Sequence, residues 1–185
     1  LSGISAVAAS GTPAQASVAS ANTKQTITLH GVGLTGDDRV VFQTLDYDGR
    51  GGTEAVAPAS VAGDGTSLTV VVPDGATTGT VRLARDSAGI VLQIVPTLDS
   101  ATSPVNGLYN NGTMTLLGTG FAEGRMSVGF GGTFLSDPSR TNGIEVQINY
   151  EKSPSVANGR ADVPVPVGMP NGPLQVRTFG GTSAP

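Results

Sequence analysis

The sequence predicts an all-β protein organised as two antiparallel β-sandwiches in tandem. Three observations carry the prediction. Short runs rich in Val, Ile, Leu and Thr alternate with turn dipeptides along the whole chain. No stretch holds helical periodicity over a useful length. One pattern of strands and turns also occurs twice.

The repeat sets the frame. Residues 26–34, T-I-T-L-H-G-V-G-L, align with residues 113–121, T-M-T-L-L-G-T-G-F. Val40-Val41-Phe42 aligns with Ser127-Val128-Gly129-Phe130. Residues 70–79 and 163–172 share the pattern V-x-x-P-x-G-x-x-x-G. Each is followed by an alternating strand, Val81-Arg82-Leu83 or Leu174-Gln175-Val176. The offset between copies drifts from 87 to 93 residues, so two copies of one unit are expected, 1–95 and 96–185.

Taken in order, the Ala-rich start from Ile4 to Ala21 is broken by Ser, Thr, Gly11 and Pro13, and reads as strand plus loop. Residues 67–72 and 89–94 are apolar strands. Residues 144–150 alternate cleanly, with Ile144, Val146, Ile148 and Tyr150 on one face and Glu145, Gln147 and Asn149 on the other. Asp-Gly and Asn-Gly pairs, such as Asp48-Gly49 and Asn171-Gly172, reverse the chain at little cost. Gly31, Gly33, Gly118 and Gly120 are expected at bulges or close backbone approaches. Phe42, Phe121 and Phe130 are expected in the cores.

Composition excludes several classes. Charged residues are 13% and apolar residues 38%, the reverse of a disordered chain. The net charge of −4 and the scattered basic residues argue against nucleic acid. No apolar run reaches the roughly 18 residues a membrane span needs, so direct membrane insertion is not expected. With no cysteine, disulfides and zinc-thiolate sites are excluded. The opening Leu1-Ser2-Gly3 has neither a Met nor a signal-peptide pattern, which points to a fragment of a longer chain. Arg outnumbers Lys eight to two in an Ala- and Gly-rich chain, which is compatible with a GC-rich bacterial source.

Residues 96–104, P-T-L-D-S-A-T-S-P, then 112–121, G-T-M-T-L-L-G-T-G-F, then Val128-Gly129-Phe130, resemble the opening of an IPT/TIG domain. The V-x-x-P-x-G stretch is similar to the late part of that family. The resemblance implies an immunoglobulin-like fold for each copy. The second copy matches at its start and end, whereas the first departs more. Its Ser-Pro is replaced by Gly11-Thr12-Pro13. The step from Pro13 to Thr26 is 13 positions against 9 from Pro104 to Thr113, so the first copy carries four extra residues.

Candidate chemistry is sparse. In residues 44–55, T-L-D-Y-D-G-R-G-G-T-E-A, Asp46, Asp48 and Glu54 are candidate calcium ligands, because Asp-x-Asp opens many calcium loops. Arg50 and Ala57, however, stand where two further ligands belong, and a hairpin turn balanced by Arg50 is the competing reading. Tyr47 and Tyr109, in turn-rich loops, are candidate ligand-binding residues that could stack on sugar. His30, the one histidine, lies on the strand face of Thr26 and Thr28 and has no nucleophile motif beside it, so it is read as a solvent-facing strand residue. Asn111-Gly112-Thr113 fits a glycosylation acceptor, relevant only in a eukaryotic secretory pathway.

The repeat, the missing start and the lack of a site together predict a non-catalytic structural or adhesive module of a larger secreted or cell-surface bacterial protein. The alternative is a carbohydrate- or ligand-binding accessory module of an extracellular enzyme. Expected partners are neighbouring domains of the same chain, and a cell-surface protein or glycan. The short Val95-Pro96-Thr97 linker predicts limited flexing between the copies.

Overall fold

The computed structural model describes residues 1–46, 48–102, 112–137, 144–148 and 158–185, and these contain no helix. The first half opens with three short strands, β1 (Gly3–Ser5), β2 (Thr12–Pro13) and β3 (Ser20–Ala21). It continues with β4 (Thr26–His30), β5 (Val40–Leu45), β6 (Gly51–Val56), β7 (Ser60–Val61), β8 (Ser67–Val71), β9 (Gly79–Leu83) and β10 (Ile90–Ile94). The second half holds β11 (Thr97–Thr102), β12 (Thr113–Thr119), β13 (Ser127–Phe130), β14 (Thr133–Ser136), β15 (Glu145–Ile148), β16 (Asn158–Pro164), β17 (Leu174–Thr178) and β18 (Gly181–Thr182).

The strands make an all-β sandwich architecture. A sheet ordered β1-β4-β8-β7 packs on one ordered β3-β10-β9-β5-β6. Period-2 alternation drives this packing. Ile27 and Leu29 of β4 point inward while Thr26 is exposed and His30 half-buried. With Leu68 and Val70 of β8 they meet Val40, Phe42, Val81, Leu83, Leu92 and Ile94 in one core. Full burial of each such side chain stabilises by roughly 1.5–3 kcal/mol.

The second half repeats the arrangement. A sheet ordered β11-β12-β16-β15 packs on one ordered β14-β13-β17-β18-β2. Met114, Leu116, Ala161 and Val163 from the first of these meet Val128, Phe130 and Val176 from the second, with Phe121 and Ile144 between. The repeated T-φ-T-L motif therefore falls on β4 and β12, which occupy equivalent places. The three phenylalanines expected in the cores are buried there.

Three details differ from expectation. The β3–β10 pairing is parallel, with Ser20 opposite Gln93 and Ala21 opposite Ile94, strands that meet across more than 70 positions instead of through a hairpin. Gly31, Gly33 and Gly120 lie just past the ends of β4 and β12, so of the four glycines only Gly118 is inside a strand. Gly118 sits opposite Leu98 at a bulge, where a side chain would run into the Thr97 carbonyl. The third detail is that β2, from the first half, belongs to a sheet of the second.

Candidate functional site

The β5–β6 hairpin carries the acidic loop. Its turn is closed by Asp46 N–H donating to the Arg50 carbonyl at 3.0 Å and Gly49 N–H donating to the Asp46 carbonyl at 2.9 Å. The Asp46 carboxylate accepts from the amides of Asp48 at 2.9 Å and Arg50 at 2.8 Å. That is an Asx turn, in which the side chain stands in for a ladder carbonyl. Arg50 pairs with the Asp48 carboxylate at 2.9 Å, as the hairpin reading expects.

Glu54 lies elsewhere, on β6 opposite Phe42. Burial, followed by the charge of Asp74, raises its carboxyl above the usual carboxylate range. Asp74 in turn pairs with Lys24 at 3.4 Å. Two other acids of the first half, Asp38 and Asp64, also serve local structure. Asp38 accepts from Thr35 N–H at 2.8 Å and pairs with Arg85 at 3.3 Å. Asp64 accepts from the Thr66 hydroxyl and amide, which lower its carboxyl. Among the described residues, no three His, Asp or Glu side chains gather to hold a metal. Tyr47 and Tyr109 lie outside the described residues.

His30 does have a hydroxyl neighbour that the sequence did not single out. Its Nε2 shares a 2.8 Å hydrogen bond with Ser5 Oγ, since β1 pairs with β4. The pair sits on an exposed sheet face. A serine nucleophile needs its base oriented by a third group and an oxyanion site nearby, and among the described residues no ion pair orients His30. The bond fastens the edge strand β1 to β4.

The most extensively built region is the junction between the two cores. Asn158 Nδ2 donates to the Leu45 carbonyl at 3.1 Å. The tip of the acidic hairpin rests on the second half, where a Cβ added to Gly49 would lie 3.0 Å from the Glu123 carbonyl. Thr178 Oγ1 donates to the Ile94 carbonyl at 3.5 Å. Gly180 approaches so closely that a Cβ would strike that same carbonyl and the Thr78 hydroxyl. The loop that looked like a solvent-facing hairpin is thus partly an interface loop. Its neighbour across the junction comes from 70 or more positions away, which no local pattern reports.

No protein-family model matches the chain, and no curated protein matches it significantly. Among the described residues, no helix is long and apolar enough to cross a membrane.

Proposed function

We propose that the chain is a non-catalytic structural module of a larger exported or cell-surface bacterial protein. In this reading two immunoglobulin-like units of the IPT/TIG type, 1–95 and 96–185, act as a spacer or in protein or cell-surface contacts, and the spacer role is the one the test below isolates. The supporting observation is the strand order, which is used twice around two cores. A unit with its own core can be repeated in tandem without redesign. The halves also meet through direct backbone and side-chain contacts, as a module that transmits position or force requires. Neighbouring domains of the same chain are its first partners.

The test is a binding screen of the purified chain with a positive counterpart. A glycan array and calorimetry with calcium at roughly millimolar levels, the range of extracellular modules, are expected to be silent. In the full-length protein, exchange for an unrelated rigid module of equal length is expected to preserve surface function. A glycan bound at micromolar affinity, or loss of function on that exchange, overturns the spacer reading and favours the accessory-module alternative.

A further inference from the structure

Residues 7–18 form an arm held largely by side-chain amides. Gln25 Nε2 donates to the Val7 carbonyl at 2.7 Å, and its Oε1 accepts from Ala9 N–H at 3.2 Å. Asn22 Oδ1 accepts from Ser10 N–H at 2.9 Å, and its Nδ2 donates to the carbonyls of Ser10 at 3.0 Å and Val95 at 2.9 Å. Gln93 Oε1 accepts from Gln15 N–H at 2.8 Å, and its Nε2 donates to the carbonyls of Gln15 at 2.8 Å and Val18 at 3.0 Å. Asn22 and Gln93 are buried at 5% and 3% exposure. Buried amides satisfied in this way are costly to rearrange. Both ends of the arm are therefore fixed to the first half.

The middle of the arm crosses to the second half. Thr12 pairs with Thr182 and Pro13 with Gly181, antiparallel, and Ala14 N–H donates to the Gly180 carbonyl at 3.1 Å. Gly11 makes the crossing possible. Its φ is +82°, and a Cβ there would lie 2.6 Å from the Thr182 carbonyl and 2.7 Å from Val95 Cγ1. In the first half, the place beside β10 is filled by β3 of that same half. In the second half, the equivalent place beside β18 is filled by β2, from the far end of the chain.

We propose that residues 7–18 are a strand clasp that locks the two halves into one orientation and makes them unfold as a single cooperative unit. Two ladder positions would hold a free peptide only marginally. Here the donor is tethered at both ends, so closure is intramolecular and its effective concentration is high. The clasp's purpose rests on the spacer reading, since a spacer that swivels sets no distance. Its existence rests on the pairing alone.

The chain has no cysteine, so the double variant Thr12→Cys/Thr182→Cys tests the clasp cleanly. Paired antiparallel residues lie about 4.5–5.5 Å apart at Cα, within disulfide reach. Under mild oxidation the folded monomer is expected to lose both free thiols through an intramolecular bond. Wild type is expected to melt in one calorimetric transition whose van't Hoff and calorimetric enthalpies agree. Gly11→Val is expected to split that transition in two and to broaden the size distribution in small-angle scattering. A folded double variant that keeps both thiols, one that cross-links between two chains, or a wild type that melts in two independent steps overturns the clasp. The binding screen that tests the spacer reading leaves these outcomes untouched, so the two can fail separately.

Discussion

The side-chain amide of Asn158 donates to the Leu45 carbonyl across 3.1 Å, although 113 positions separate them in sequence. Asn158 is 2% exposed, and its own carbonyl accepts from Phe121 N–H at 2.9 Å. It therefore anchors both the start of β16 and the end of β5. Asn158→Ala removes a buried donor and is expected to cost about 1–3 kcal/mol. Asn158→Asp places a carboxylate against a carbonyl oxygen and is expected to cost more. Urea midpoints check the order: if Asn158→Asp matches wild type, the contact does not exist in solution.

Gly180 makes a sharper probe of the same junction. A Cβ there strikes the Ile94 carbonyl, which is backbone and cannot rotate away. Gly180→Ala is expected to destabilise by about 1–3 kcal/mol, as overpacking does. Gly36 is the control, since nothing lies within 4 Å of a Cβ at that site. Gly36→Ala is expected to stay within about 0.5 kcal/mol of wild type. Equal thermal midpoints for the two variants would refute the close approach.

These two sites mark what could be read in the sequence and what could not. Alternation in T-I-T-L-H put Ile27 and Leu29 inside, and the structure agrees, because period 2 is a local property of any strand with one face buried. The V-x-x-P-x-G motif likewise marked the ends of β8 and β16. The junction had no such signal. Asn22, Gln25 and Gln93 look like ordinary surface amides in sequence, and only the fold brings them beneath the arm. Thr12 and Pro13 carried no sign of their partner, because β18 lies some 170 positions away. The acidic loop suggested calcium because residue spacing carries no information on what each carboxylate already accepts. Asp46 is engaged by its own turn, and Glu54 faces Asp74.

The engagement of Asp46 gives a direct contrast between metal and turn. If its carboxylate serves the hairpin, Asp46→Ala loses the two amide bonds at Asp48 and Arg50. The expected cost is about 1 kcal/mol, identical in calcium and in chelator. Thermal melts of both proteins under both conditions measure it. A wild-type midpoint that rises with calcium while the Asp46→Ala midpoint does not would assign the loop to metal.

Glu54 predicts the sign of a pH dependence. Its folded-state carboxyl is raised from 4.5, mainly by burial and then by Asp74. The folded protein therefore binds more protons than the unfolded chain between the two values. Its contribution to stability is complete below the unfolded value and declines as pH rises through the folded one. Glu54→Gln removes that decline. The variant is expected to gain on wild type between mildly acidic and neutral pH, by at most about 0.5 kcal/mol for a site that is only partly buried. Asp64, lowered by Thr66, acts in the opposite direction at low pH in both proteins and cancels in the comparison. Denaturation midpoints across that range decide the matter. A difference that widened toward acid would place Glu54 in a stabilising charge pair and reverse the assignment.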